Sequence, residues 1–446
     1  MPPMAATPRR TSVVFLAPEP LLERETGPNR RTVKLAETTA ETCSVTLAAP
    51  SPSVFPDGPF RTLETGPVHA QDLRSVVGGH DVAVVQTLPS PRQLLVARRC
   101  ARRLVVDLPA PPPLEASWLG PDGAARDALA RWRMRHLIAH VAAADLVLCG
   151  NERQRDLVLG AALATGAMAP GAEAERIAVV PYGIDAAPPR PTRAPLRAAG
   201  LLADGEHLAI WAGGMWSWLD PLTALRALEL LRPARPDLRL AFVAYEHPDP
   251  GQRRAHQAMA AEAIAYARDR GLDGSVLFRP PWLSRQDYFD HLIEADVGVT
   301  LASPALEGEF ASRTRILDYL VAGLPVVCTA GNTMAEVVAT SGLGSVVAAQ
   351  DVDACAAALD RLANGAPRPR LDRGALAPFE WRNVARPLVE YCVDPGPPRA
   401  STTIETLRLV GRSYPAFLTA VYRTGRARAF ADRVTRGRPG CRPRRP

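Results

Sequence analysis

Between Leu306 and Val338 the chain reads LEGEFASRTRILDYLVAGLPVVCTAGNTMAEVV, and this run brings Glu307, Glu309, Arg313, Arg315 and Asp318 close together. A guanidinium grips phosphate oxygens with two parallel hydrogen bonds, and a carboxylate accepts from hydroxyl donors. Lys34 is the only lysine in the sequence, so a permanent cation serving a phosphate in the second half has to be an arginine. On a helix beginning near Ala311, Arg315 and Asp318 sit three apart and share a face. The Gly323-Leu324-Pro325-Val326-Val327 step that follows reads as a turn into a strand. The competing reading makes Arg313 and Arg315 surface ion pairs of Glu307 and Glu309.

Other segments offer compatible chemistry. In Trp211–Pro221, WAGGMWSWLDP, Gly213 and Gly214 carry no side chain, so backbone N–H groups can approach an oxyanion. Trp218 and Asp220 of the same loop are candidate donor-binding residues, and Asp220 before Pro221 also has the form of a helix N-cap. The other reading of this loop is a tight turn with tryptophans filling a seam. In PPWLSRQD, residues 280–287, Ser284 and Asp287 form a capping box, and Trp282 either stacks on a base or belongs to the core. Asp107, at the end of an apolar strand, is a candidate base or a structural cap. No histidine sits in a metal-like constellation, and Asp351 and Asp353 read as capping a helix over 354–362. No metal is therefore expected.

The 306–338 run resembles the Glu-x7-Glu region of family 4 glycosyltransferases, retaining enzymes of GT-B fold that use activated sugars. The 211–221 loop is similar to the Gly-Gly-x-Trp-x-Trp-Leu-Asp-Pro donor loop of a bacterial subgroup. Gly27-Pro28-Asn29-Arg30-Arg31, Asn151–Leu159 (NERQRDLVL) and Ile177–Asp185 (IAVVPYGID) are similar to first-domain steps of that subgroup. The resemblance implies that Gly27 and Arg31 lie on the acceptor side and that Gly213 and Gly214 face a diphosphate. It also implies that Asp318 stands in for the ribose-binding Glu, and that Glu307 or Glu309 contacts the donor sugar. Counting back eight from Asp318 reaches Phe310, so the choice between the two glutamates stays open.

These residues need a scaffold at the carboxyl ends of parallel strands. Apolar runs at 12–17, 44–49, 81–86, 104–108, 146–149 and 177–180 alternate with helix-like stretches such as 29–41 and 126–143. After the proline-rich DAAPPRPTR the alternation restarts at 207–211, 239–244, 276–278, 297–301 and 325–328. Strand–helix alternation implies doubly wound parallel sheets. The expected organisation is an acceptor-side Rossmann-like domain over 1–187 and a linker over 188–206. A nucleotide-sugar-binding Rossmann-like domain follows over 207–376, then a closing helix over 377–400 returning to the first domain, and a basic tail over 401–446. The α/β class expected is GT-B, two such domains facing a cleft.

A chain of 446 residues is too long for one core. The formal charge of +7 is a property of the tail: residues 401–446 hold eleven Arg against Glu405 and Asp432, a balance of +9, which leaves about −2 for the rest. A body without net positive charge argues against a nucleic-acid partner. Seven scattered cysteines point to a reducing compartment, and the first strand-like run does not read as a signal peptide. Tyr414, Phe417, Leu418, Val421 and Tyr422 form a helical stripe among arginines. It reads either as a helix docked on its own protein or as peripheral contact with the inner face of the membrane.

The expectation is a cytoplasmic, metal-independent glycosyltransferase without a cofactor. It would use a nucleoside diphosphate sugar as co-substrate and transfer with retention to a small-molecule, glycan or lipid-linked acceptor. The alternatives are a nucleotide-sugar epimerase on the same fold and a catalytically silent partner protein.

Overall fold

The computed structural model describes residues 9–66, 72–119, 123–171, 176–187, 190–248, 250–364, 373–396 and 403–423. The chain divides into two compact units. The first takes Met1–Leu22, Thr26–Pro181 and Val384–Pro446, and the second Glu23–Glu25 and Tyr182–Asn383.

In the first unit seven parallel strands run in the order β3-β2-β1-β4-β5-β6-β7. They are β1 Ser12–Leu16, β2 Ser44–Pro50, β3 Arg61–Thr65, β4 Val82–Val85, β5 Leu104–Leu108, β6 Leu146–Cys149 and β7 Ile177–Val179. The central strands VAVV, LVVDL and LVLC are buried at every position, as strands covered by helices on both faces must be. In the second unit six parallel strands take the order β10-β9-β8-β11-β12-β13. These are β8 His207–Ala212, β9 Leu238–Glu246, β10 Val276–Pro281, β11 Val297–Thr300, β12 Val326–Thr329 and β13 Gly344–Val347. In both sheets the winding direction reverses between the first strand and its later neighbour, β1/β4 and β8/β11. Such reversals are where open α/β sheets hold ligands.

Three segments depart from the expected organisation. Much of 188–206, read as a linker, packs on the second unit. Asp290 accepts from the Thr192 backbone, and Glu294 accepts from Leu196 N and Arg197 N. Leu196 and Leu202 are buried in that unit's core. Proline there stiffens a packed strap, and the division falls at Pro181/Tyr182. The helix expected from near Ala311 starts at Thr314 and runs to Val321, and a separate short helix that was not expected, Leu306–Phe310, precedes it across extended backbone at Ala311. The tail stripe is also divided: helix Thr403–Arg423 lays Ala416, Phe417 and Ala420 against Leu129 and Trp132 of helix Gly123–Ala143. Residues 401–402 and 424–446 of the tail lie outside the described residues, as do 188–189 of the linker.

Candidate functional site

At the second unit's sheet reversal a side chain, Tyr319, continues the bridge between the strands. Strands β8 and β11 pair through Ala209–Val297 and Ile210–Gly298 and no further. Beyond that point the Tyr319 hydroxyl bridges them, accepting from Ala212 N and donating to the Val299 carbonyl, each at 3.0 Å. The ring lies over Gly298, where a Cβ would come within 2.5 Å of it. Glycine in a strand interior often marks such a close approach.

Two loops rise from this point and lock together. After β8, Gly213 adopts φ +100°, which suits glycine, and its N–H donates to the Val243 carbonyl at 2.9 Å. The Gly214 carbonyl accepts from Arg315 at 2.8 Å. Trp216 and Trp218 stack with centroids 4.9 Å apart. Asp220 N donates to the Leu301 carbonyl, and Ser303 N to the Trp218 carbonyl, which ties the β8 loop to the β11 loop. The Asp220 carboxylate accepts from Thr223 N and from the Thr223 hydroxyl at 3.0 and 2.6 Å, so it works as the cap of helix Pro221–Leu231.

The charged residues form three sets. Glu307, 3% exposed, takes both terminal nitrogens of Arg313 at 3.2 and 2.6 Å. The break at Ala311 allows this, because residues six apart on a continuous helix point to different faces. Arg315 lies with its guanidinium 5.1 Å from the Trp211 ring, and burial lowers its pKa from the ordinary arginine value. Asp318 accepts from Arg285 at 2.7 Å, and the Arg285 guanidinium lies 4.3 Å from the Phe289 ring. Arg313 Nε and Arg315 Nη1 are both buried without a hydrogen-bond partner. Buried guanidinium N–H groups left unmatched are costly and ask for an anionic acceptor. Glu309 is exposed.

Other expected residues stand at the margin of this group or apart from it. Ser284 caps helix Arg285–Glu294 through Asp287 N at 3.1 Å, as its spacing predicts. Trp282 precedes it, half-buried, with its ring 5.4 Å from that of His247. In the first unit Gly27 opens helix Gly27–Ala40, while the Thr26 hydroxyl donates to Glu19. Arg31 and Asp107 are corrected from ligand-facing to structural roles. Arg31 Nε and Nη2 donate to the two Asp107 oxygens at 2.7 and 2.8 Å, and Nη1 and Nη2 reach the Pro181 and Val180 carbonyls at 2.8 Å. The Asp107 side chain is only 2% exposed and held by Arg31 inside the unit.

Sequence spacing missed Arg285 and Tyr319. Arg285 lies far from Asp318 along the chain and gives no signal. Tyr319 could have been found from the lone glycine inside the VGVT strand.

Residues 206–365, most of the second unit, match the family described as glycosyl transferases group 1. No curated protein matches the sequence. Among solved structures, the α,α-trehalose 6-phosphate synthase of Burkholderia multivorans aligns with a TM-score of 0.61 at 12% identity, covering 86% of this chain and 98% of that one. The sucrose-phosphate synthase of Thermosynechococcus elongatus aligns with a TM-score of 0.56 at 17% identity over 92% of this chain and all (100%) of the other. Anabaena HepE, in complex with UDP and glucose, gives 0.54 at 14% identity, with 91% and 99% covered. At such identities the likeness is one of fold: two parallel-sheet α/β units of the GT-B type.

Proposed function

We propose that this chain, a GT-B fold whose second unit matches the group 1 glycosyl transferases, moves a sugar from a nucleoside diphosphate donor to an acceptor hydroxyl. The observation that carries the reading is the pair of unmatched guanidinium N–H groups on Arg313 and Arg315, the latter anchored to the Gly214 carbonyl in the loop after β8. Oxygens of a diphosphate supply the acceptors those groups lack. The anomeric carbon–oxygen bond to the diphosphate breaks as the acceptor oxygen bonds to that carbon. Negative charge then grows on the leaving phosphate, where fixed N–H donors stabilise it most.

In this reading the free oxygen of Asp318 accepts from a ribose hydroxyl, while Arg285 holds the carboxylate in place. Glu307 acts by orienting Arg313, and Gly213 and Gly214 give the diphosphate close access to backbone. Attack from the face the diphosphate leaves delivers the acceptor proton to a departing phosphate oxygen and retains configuration. The arginines do the electrostatic work that a metal performs in other transferases. We place the reaction in the bacterial cytoplasm, with no cofactor beyond the donor. No helix among the described residues is long and apolar enough to cross a membrane.

Calorimetry with UDP, GDP and TDP and their sugars tests the reading. One of these is expected to bind, and Arg315→Ala and Asp318→Ala are each expected to weaken it by roughly ten- to hundredfold. Absence of binding across the panel overturns the assignment. Turnover of the donor without an acceptor would identify an epimerase instead.

A further inference from the structure

Helix Thr403–Arg423 has two apolar faces, and its docking uses only one. Leu409, Ser413, Ala416, Phe417 and Ala420 are buried, and the Phe417 ring packs 5.3 Å from Trp132. On the opposite side Tyr414, Leu418 and Tyr422, spaced four apart, are 38%, 56% and 78% exposed. Gly411 and Pro415 beside them are exposed as well. Exposed Arg408, Arg412 and Arg423 flank the stripe, and no acidic residue occurs from Arg408 to Arg423. Residues 424–446 add eight arginines against Asp432.

We propose that this outer face docks on an anionic lipid surface, with Tyr414, Leu418 and Tyr422 entering the headgroup boundary and the arginines pairing with lipid phosphates. The combination decides the occupant. One apolar stripe anchors weakly, and stable peripheral binding takes a second signal such as a polybasic patch, which this segment supplies. Tyrosine suits the boundary, with an apolar ring and a polar tip. A nucleic acid would meet the arginines but give Leu418 nothing to bury against. A second copy would bring arginine against arginine. The inference is independent of what the second unit binds.

Flotation of the full chain with phosphatidylcholine vesicles, with and without phosphatidylglycerol, reads it directly. Binding is expected to the anionic vesicles, to weaken as salt rises, and to be absent with phosphatidylcholine alone. Leu418→Asp with Tyr422→Asp should abolish flotation, while Arg412→Glu should reduce affinity roughly fivefold or more. Both sites are exposed, so the melting temperature should match the parent; if the aspartates lower it, Leu418→Ser with Tyr422→Ser replaces them. Equal binding to uncharged vesicles, no binding to anionic ones, or flotation insensitive to the stripe variants overturns the proposal. Capture of a single-stranded RNA that displaces the vesicles would assign the face to nucleic acid instead.

Discussion

Arg31 and Asp107 meet in a two-point ion pair inside the first unit, with side chains only 1% and 2% exposed. The pair joins helix Gly27–Ala40 to the end of β5, and the remaining guanidinium bonds reach the backbone after β7. Removing one partner strands a buried charge, whereas replacing both with apolar residues avoids that cost. Asp107→Ala is expected to destabilise the first unit by about 3–5 kcal/mol in urea unfolding, and Arg31→Met with Asp107→Leu by much less. A base whose removal spared the fold would give the opposite result, normal stability with lost turnover.

The two glutamates of the donor run should separate by experiment. Glu307→Ala leaves Arg313 buried without its carboxylate and is expected to cost the second unit about 3–5 kcal/mol. Glu309→Ala, at an exposed position, should stay within about 0.5 kcal/mol of the parent. Thermal melting of the two variants side by side checks the difference. Equal effects would mean that the ion pair does not organise the run.

Tyr319→Phe keeps the ring and removes only the hydroxyl. Ala212 N–H and the Val299 carbonyl then lose their shared partner in a dry interior, a loss of about 1–3 kcal/mol. Ala212 is the last residue of β8 before the glycine loop, so donor affinity is expected to fall along with stability. Calorimetry on the variant, at a temperature where it is fully folded, separates the two effects.

His136 and His140 give the first unit an acid limit. Leu88 N–H donates to His140 Nε2 at 3.0 Å, and His136 Nε2 donates to the Leu88 carbonyl at 2.6 Å. Burial lowers the His140 pKa from 6.5 to about 4, and burial with the neighbouring His140 holds His136 well below the ordinary value. Unfolding therefore takes up protons between those limits: stability is complete above about pH 6.5 and drains away as pH falls toward 4. For His140 alone the loss amounts to about 3 kcal/mol. Denaturant midpoints measured across that range should flatten in a His140→Gln variant.

Most strands could be read within one or two residues because VAVV and LVLC are unbroken apolar runs and LVVDL is interrupted only by Asp107. Two escaped. β3 Arg61–Thr65 lies at a sheet edge with mostly exposed side chains, and the small GSVV of β13 carries little pattern. In the donor run the residue types were legible and the pairings were not. Glu307 reaches Arg313 only because the helix breaks between them, and Asp318 meets Arg285 only because two distant helices converge. The linker was misread for a related reason. Proline reports stiffness, while Asp290 and Glu294, far along the chain, decide whether the segment is packed.

The contact of Gly298 with the Tyr319 ring also sets what substitutions this protein can accumulate. A methyl group at 298 collides with the ring, and a smaller residue at 319 makes room but forfeits both hydroxyl bonds. Each position closes the other's exits, so neither drifts alone. In a library randomised at both sites, functional clones should return the parental pair or change both together, and energies of the single changes should not sum.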